Sequence, residues 1–307
     1  MTNARRIDAE KLPEGTPQRR AYESGGARAP GAERPVALVT GAARRIGRAL
    51  ALALAGAGYD IALHHRGTDA QSHVDAQATA NELRAAGARV ELFDADFADT
   101  AATAALLPAI AGRFGRVDAV VNSASRFEYD SPAEFDPALL ESLVRSNTAA
   151  PIVLAQALAR QVAAQPALPG GSPCVVNLLD QKLVNPNPDY FSYTLTKAAL
   201  QHATVLLAQA LAPAVRVCGV SPGITLVSGP MDEAEFAKAH RLTALGRSST
   251  PEDIARAVRF LLEAPAITGI DLAVDGGQHL VGQQRDVLFL AREQQPDVPS
   301  STPAASR

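Results

Sequence analysis

A tyrosine and a lysine four residues apart form the pattern with the clearest chemical meaning in this chain. Tyr193 and Lys197 lie in the run YTLTK, and on a helix this spacing places both side chains on one face. An ammonium beside a phenol stabilises the phenolate, so it lowers the phenol's pKa from its ordinary value of about 10. The pair therefore predicts a proton donor that works near neutral pH.

An aspartate precedes this pair by a short loop. Asp180 lies thirteen residues before Tyr193, at the end of the apolar run PCVVNLL. An ionised carboxylate accepts hydrogen bonds and donates none, so Asp180 suits a substrate that presents N–H groups. It could also pass a proton to Tyr193 or to a bound water. The alternative is that Asp180 only caps a loop or pairs with Lys182.

A glycine-containing turn, TGAARRIG, follows the first aliphatic run and opens a helical stretch. Gly41 and Gly47 permit close approach of the backbone to a ligand, and the N-terminus of the following helix can receive a pyrophosphate. An ordinary strand-to-helix loop is the alternative. The position of the turn after the first predicted strand favours a dinucleotide site.

The end of the second predicted strand, LHHRG, indicates which dinucleotide binds. NAD-specific proteins carry an acid there for the ribose hydroxyls, and this chain has none. Arg66, with His65 and with Arg44 or Arg45, could instead pair with a 2′-phosphate, because a guanidinium presents forked donors to phosphate oxygens. These residues predict NADPH, and the alternative is that the arginines are solvated surface side chains.

Short aliphatic runs alternate with longer alanine-rich segments between the two ends of the chain. Helices are predicted at 45–57, 70–86, 99–114, 136–164, 190–212 and 251–263. Such alternation is typical of parallel strands joined by helical crossovers. The predicted fold is α/β, a Rossmann-type doubly wound parallel sheet in a single domain at 34–290. Residues 1–33 and 291–307 are predicted to be disordered tails.

Composition excludes several kinds of partner. A net charge of −3 gives no reason to expect nucleic acid or an anionic membrane. No run approaches the roughly 18 apolar residues that span a membrane, so the cytoplasm is the expected compartment. Cys174 and Cys218 lie in apolar runs that predict buried strands without a disulfide. No metal is predicted, because five histidines show no ligand spacing and suit surface or packing roles: His64, His73, His202, His240 and His279.

In combination, these motifs resemble the short-chain dehydrogenase/reductase family over residues 35–282. The ordered motifs are TGAARRIG, DADF with Asp96, NSAS from Asn122, RSNTAAP with Asn147, YTLTK, SPG from Ser221, and VDGG. In most of that family serine occupies the position of Asp180. The chain is most similar to the pteridine reductases, which share a GAA-[KR]-R-[IL]-G turn, a basic end to the second strand, an aromatic residue after the fourth strand, and the aspartate.

The resemblance implies roles for particular residues. Tyr193 would donate a proton, Lys197 would bind the nicotinamide ribose and tune the tyrosine, and Asn147 would hold a water in the proton relay. Phe127 would stack a pterin against the nicotinamide. The implied cofactor-binding residues are Gly41, Arg44, Arg45, Ile46, Gly47, His65, Arg66, Asp96, Phe97, Asn122, Ser125, Tyr193, Lys197, Pro222, Gly223 and Thr225. The implied substrate-binding residues are Arg45, Ser125, Phe127, Asp180 and Tyr193.

The predicted function is NADPH-dependent reduction of a dihydropterin or dihydrofolate to the tetrahydro form. One alternative is a carbonyl or 3-oxoacyl reductase, and another is an NADP-binding regulatory protein without catalysis. Tyr193, Lys197 and Asn147 together argue against the second alternative. The resemblance also suggests a homotetramer. A substrate lid is expected at 224–247.

Overall fold

The computed structural model describes residues 34–165, 172–227 and 231–293. Residues 1–33, predicted to form an N-terminal tail, lie outside the described residues, and so do residues 294–307 of the predicted C-terminal tail. A helix begins at Val287 and ends at Glu293, so regular structure extends past residue 290, the predicted end of the domain.

Seven strands form a single parallel sheet within the described part of the chain. They are β1 (Val36–Val39), β2 (Asp60–His65), β3 (Val90–Asp94), β4 (Ala119–Asn122), β5 (Cys174–Leu178), β6 (Arg216–Pro222) and β7 (Asp271–Val274). Their spatial order is β3-β2-β1-β4-β5-β6-β7, and every pairing is parallel. The strand order reverses between β1 and β4, which places a crevice at their carboxyl ends. The Rossmann-type prediction is confirmed.

Helices cover both faces of this sheet. They are α1 (Arg45–Gly56), α2 (Ala70–Ala85), α3 (Thr100–Phe114), α4 (Pro137–Val144), α5 (Ala150–Ala164), α6 (Phe191–Leu211), α7 (Glu233–Ala239), α8 (Pro251–Glu263) and α9 (Val287–Glu293). The predicted helix at 136–164 consists of α4 and α5 joined by a π-helical turn, Arg145–Ala149. The other predicted helices agree with the structure to within one residue at each end.

Two buried clusters lie on opposite faces of the sheet. Val39 of β1 packs in one cluster with residues of α1 and α8, whereas its neighbour Leu38 packs in the other with residues of α3 and α5. Because both faces are covered, successive strand residues are all apolar, which explains the uninterrupted aliphatic runs in the sequence. Cys174 and Cys218 are buried free thiols on β5 and β6, as predicted.

Candidate active site

The turn between β1 and α1 brings the backbone unusually close to itself. A Cβ on Gly47 would lie 2.2 Å from the carbonyl oxygen of Gly41, so α1 can begin this near β1 only with glycine at that position. Arg45 adopts a left-handed conformation with φ of 56°, which costs a non-glycine residue roughly 1–2 kcal/mol. Gly41, Arg44, Arg45, Ile46 and Gly47 all line one cleft.

The N-terminus of α1 is built to receive an anion. Among the described residues, Arg44 at the N-cap makes no side-chain hydrogen bond to the helix, and the first turn contains no acid. The backbone N–H groups of this first turn and the positive end of the helix dipole are therefore available at the cleft. The tight glycine turn and these donors fit the pyrophosphate of a dinucleotide.

His64 links the glycine turn by hydrogen bonds to the segment that follows β3. Its Nδ1 accepts a hydrogen bond from the N–H of Gly41 at 3.2 Å, and its Nε2–H donates to the carbonyl of Ala95 at 3.0 Å. The ring stacks on Phe97 with centroids 4.4 Å apart. Burial lowers the pKa of His64 to about 4, so the ring is neutral at physiological pH. The packing role predicted for this histidine agrees with these contacts, and Asp96 and Phe97 line the cleft beside it.

The basic end of β2 faces the same part of the cleft. His65 contacts the Ser72 hydroxyl through Nδ1 at 3.2 Å, and Arg66 donates to the Thr68 hydroxyl at 2.7 Å. The Arg66 side chain is 57% exposed and lies 3.6 Å from Asp69, so this ion pair is weak and easily exchanged. The guanidinium is therefore free to turn toward a phosphate.

Asp180, Tyr193 and Lys197 meet at the carboxyl end of β5. The Tyr193 hydroxyl donates a hydrogen bond to Asp180 Oδ2 at 3.0 Å, and the Lys197 ammonium donates to the Leu178 carbonyl at 2.7 Å. Asp180 Oδ1 accepts from the backbone N–H of Lys182 at 2.9 Å. The carboxylate thus caps the loop, as one of the two hypotheses from the sequence predicted, and it also accepts a hydrogen bond from the phenol.

The direction of the Tyr193 pKa differs from the prediction made from spacing. Burial and the neighbouring Asp180 raise the pKa of Tyr193 well above its ordinary value. Lys197 bonds the Leu178 carbonyl, and its Nζ lies 5.7 Å from the centroid of the tyrosine ring, so it does not offset these two effects. The expected lowering is therefore wrong for this arrangement, and the phenol keeps its proton.

Burial also shifts the other two ionisable groups of this trio. It lowers the pKa of Lys197 to about 8, partly offset by Asp180. It raises the pKa of Asp180, although hydrogen bonds from Lys182 and Tyr193 and the charges of Lys197 and Lys182 oppose that change.

The first turn of α6 is anchored from outside the helix. Asp130, in the loop after β4, accepts hydrogen bonds from the backbone N–H of Ser192 at 2.9 Å and from its hydroxyl. Tyr190 precedes the helix with φ of 53°. These contacts fix the orientation of the helix face that carries Tyr193 and Lys197, both of which are buried.

Asn147, in the π-helical turn, also fastens the loop after β4. Its side-chain amide donates to the Arg126 carbonyl at 3.0 Å and to Thr196 Oγ1 at 3.1 Å, and its oxygen accepts from the Arg126 N–H at 2.8 Å. The residue is 1% exposed and lies behind the cleft wall, hydrogen-bonded at 3.3 Å by Ser125. Its implied role in holding a water stays a prediction.

Asn122 lies behind the cleft as well. Its side-chain amide donates to Asn177 Oδ1 on the neighbouring strand at 2.8 Å, within the buried sheet. Asn177 in turn donates to Thr204 of α6 at 2.9 Å. The implied contact of Asn122 with a cofactor is untested, whereas its structural contact joins β4, β5 and α6.

Two stacked aromatic residues, Phe127 and Tyr190, lie beside Tyr193 at the mouth of the cleft, and we call them the aromatic wall. Phe127 stacks on Tyr190 with centroids 4.2 Å apart and an interplanar angle of 17°. Its edge-to-face contact with Tyr193 has a centroid distance of 4.7 Å. Phe127 is 41% exposed, so part of this apolar ring remains available to a ligand.

The segment after β6 closes the cleft on the other side. A Cβ on Gly223 would lie 2.4 Å from Ser248 Oγ, so close packing requires glycine there. The Arg45 guanidinium crosses from the glycine turn and donates to the Val227 carbonyl at 2.8 Å. The segment 224–247, predicted as a lid, contains α7, and its residues 228–230 lie outside the described residues.

Most of the predicted site residues therefore line one cavity of about 530 Å³. They are Gly41, Arg44, Arg45, Ile46, Gly47, His65, Arg66, Asp96, Phe97, Ser125, Phe127, Asp180, Tyr193, Lys197, Pro222, Gly223 and Thr225. Among the further lining residues that were not predicted are Ser72, Tyr190, Met231, Asp286 and Leu288. They carry no motif, and only the position of Tyr190 beside the catalytic run could have indicated it.

No group of three or more His, Cys, Asp or Glu side chains among the described residues could hold a metal ion. No helix in this part of the chain is both long and apolar enough to cross a membrane.

The parallel sheet, the glycine turn and the tyrosine and lysine on α6 define a class of nucleotide-dependent oxidoreductases. The sequence profile of the family described as enoyl-(acyl carrier protein) reductase matches residues 41–279. The chain belongs to the short-chain dehydrogenase/reductase family and is an oxidoreductase of that family.

Individual relatives give a finer comparison. Pteridine reductase 1 of Leishmania tarentolae is 34% identical over 281 residues, which cover 80% of this chain and 96% of the relative. The structure of FolM alternative dihydrofolate reductase 1 from Brucella canis, complexed with NADP, matches with a TM-score of 0.72 at 34% identity, covering 80% of this chain and 95% of that one. The 3-oxoacyl-[acyl-carrier-protein] reductase FabG of Staphylococcus aureus is 30% identical, covering 80% of this chain and 98% of its own length.

Proposed function

We propose that the protein is an NADPH-dependent reductase that converts a dihydropterin or a dihydrofolate to its tetrahydro form. The observation that carries the proposal is the hydrogen bond from Tyr193 to Asp180 within the cleft. A buried carboxylate at this point can accept N–H groups from a pterin, and the phenol beside it can donate a proton. The names of the pteridine reductase and FolM relatives support the same substrate class.

Several residues of the cleft support NADPH as the cofactor. The N-terminus of α1 suits the pyrophosphate, and Arg44, His65 and Arg66 would hold the 2′-phosphate. Lys197 would bind the nicotinamide ribose. When bound, NADPH supplies the hydride for reduction of the C=N bond. The NADP complex of the Brucella canis relative supports this choice of cofactor.

Three residues of this chain orient the substrate and supply the proton. Asp180 accepts hydrogen bonds from the N–H groups of the pterin and so orients its ring in the cleft. Tyr193 donates the proton from its hydroxyl to the substrate nitrogen, and its raised pKa keeps that proton in place until the substrate is bound. The Lys197 ammonium favours the ionised form of Asp180, which is the form that accepts these hydrogen bonds.

Asp180 also distinguishes this proposal from reduction of a carbonyl. A carbonyl oxygen needs a hydrogen-bond donor, and an ionised carboxylate would repel its lone pairs. The FabG relative is the reason to test a ketone at all. A regulatory protein without catalysis has no need of a buried tyrosine, lysine and aspartate in contact at the cleft.

The test follows the loss of NADPH absorbance with dihydrobiopterin, dihydrofolate and a simple ketone in parallel. We expect turnover with at least one pterin and little with the ketone. Asp180→Ser is the matched variant, because serine can donate to a carbonyl; it should lose pterin reduction by a factor of about 100. Turnover confined to the ketone, or pterin turnover unchanged in Asp180→Ser, would contradict the proposal.

A further inference from the structure

Lys182 is a buried lysine at the substrate end of the cleft. Its side chain is 7% exposed, although it lines the cavity. The ammonium donates a hydrogen bond to the Asp189 carbonyl and lies 3.6 Å from the Asp286 carboxylate. A charge removed from water is stable only when paired, so these partners hold the ammonium at one point.

The partners of Lys182 are themselves fixed. The Asp189 carboxylate accepts two hydrogen bonds from the Arg285 guanidinium at 2.9 and 3.0 Å, and one from the Asp286 backbone N–H at 2.7 Å. Its side chain is 4% exposed. We call Lys182, Asp189, Arg285 and Asp286 the ionic cluster. It joins the loop between β5 and α6 to the segment that leads into α9.

Lys182 also contacts both Asp180 and the aromatic wall of the proposed substrate site. Its backbone N–H donates to Asp180 Oδ1 at 2.9 Å. Its ammonium lies 5.6 Å from the centroid of the Tyr190 ring, and Tyr190 stacks on Phe127. A displacement of Lys182 would therefore move both the carboxylate and the aromatic wall.

The segment held by the ionic cluster forms part of the cleft. Val287 and Leu288 of α9 pack in one apolar cluster with Met231 and with Ala239 of α7. Met231, Val287 and Leu288 also line the cavity. The ionic cluster thus fixes the wall formed by α7 and α9 relative to Asp180.

We propose that Lys182 is a positioning residue. Its buried ammonium holds residues 285–291 against the loop between β5 and α6, and through this contact it fixes Asp180 and Tyr190 for substrate binding. This rests on the proposed function, since pterin binding is the step that Lys182 supports.

The kinetic test compares Lys182→Met, Asp286→Asn and the double variant, with Arg259→Met as the control, because Arg259 is an exposed cation on α8 that pairs with Glu263 outside the cleft. Lys182→Met keeps most of the side-chain length and removes the charge. It should lower kcat/KM for the accepted pterin about 100-fold, mainly through KM, without changing KM for NADPH. Asp286→Asn should lower kcat/KM for the pterin less than Lys182→Met does. The double variant should lower it no further than Lys182→Met, because both substitutions break the same contact. Arg259→Met should match the wild type in both Michaelis constants.

Trypsin digestion with mass spectrometry adds a measurement that does not depend on activity. Cleavage after Arg285 should be slow in the wild type, because Asp189 holds both the guanidinium and the following N–H. Lys182→Met should speed this cleavage about tenfold, since the segment opens locally more often. The melting temperature should change little.

Three outcomes would overturn the role of Lys182. These are wild-type KM for the pterin in Lys182→Met, equal loss of pterin and NADPH binding with a lowered melting temperature, or unchanged cleavage after Arg285. If Lys182→Met does not fold, unchanged KM in Asp286→Asn overturns it. A wild type that reduces neither dihydrobiopterin nor dihydrofolate refutes the proposed function alone, and the cleavage rate after Arg285 then decides the role of Lys182.

Discussion

At the scale of single residues, the site depends on which atom each charged group bonds. Lys197 donates to the Leu178 carbonyl, so the nearest charge to the Tyr193 hydroxyl is the Asp180 carboxylate. This raises the phenol's pKa, so Tyr193 keeps its proton at physiological pH. The chemistry proposed here therefore needs the phenol to lose its proton only when substrate and cofactor are in place.

Tyr193→Phe removes the proton donor and leaves the ring. We expect kcat to fall about 100- to 10,000-fold, the range typical of general acid catalysis, while NADPH affinity stays within twofold. Stopped-flow turnover and a fluorescence titration with NADPH measure the two quantities. A variant with wild-type turnover would remove Tyr193 from the mechanism.

Phe127→Ala removes the exposed part of the aromatic wall. Stacking of this kind is worth about 0.5–1.5 kcal/mol beyond burial, so KM for the pterin should rise about two- to twelvefold with no change in KM for NADPH. Phe260→Ala is the control, because Phe260 is also an exposed phenylalanine but lies on α8 away from the cleft. Equal pterin kinetics in the two variants would refute the stacking role.

At the scale of elements, the carboxyl ends of β1, β2 and β3 are joined by a side chain that no motif identified. His64 bonds Gly41 and Ala95 and stacks on Phe97. The loop after β4 is joined to α6 in a comparable way by Asp130 and Asn147. These contacts give the cleft its shape, because they fix the loops that the strands end in.

His64 also makes stability depend on pH. Its pKa is about 4 when folded and about 6.5 when unfolded, so between these values the unfolded chain binds more protons. Stability therefore falls as pH falls through this window, by about 2 kcal/mol between pH 7 and pH 5 from this residue. Urea unfolding at both pH values measures it. His64→Asn should lose this part of the pH dependence, and an unchanged difference would contradict the assignment.

At the scale of the whole molecule, residues from Gly41 to Leu288 meet at one edge of the sheet. The parallel topology explains this, because each crossover returns the chain so that every strand ends at the same edge. The last helix, α9, then packs on α7 beside the cleft. A dinucleotide bound in this cleft would therefore contact several segments of the chain at once and should stabilise the whole domain.

NADPH at 100 times its dissociation constant should raise the free energy of unfolding by about 2.7 kcal/mol. NADH at the same concentration should raise it less, because it lacks the phosphate that Arg44, His65 and Arg66 are proposed to bind. Thermal unfolding with each cofactor measures the difference. Arg66→Ala should narrow it, and an equal effect of NADH and NADPH on the wild type would contradict the choice of cofactor.

The sequence alone determined the fold class, five of the six predicted helices and 17 of the residues that line the cleft. These features follow from local rules: apolar periodicity, glycine at a tight turn, and the common edge at which parallel strands end. Tertiary structure decided the pKa direction of Tyr193, the structural contacts of Asn122 and Asn147, and the ionic cluster around Lys182. Those depend on burial and on distances between atoms far apart in the chain, such as Lys182 and Asp286. Spacing along the sequence cannot specify which of several charges lies nearest a buried group.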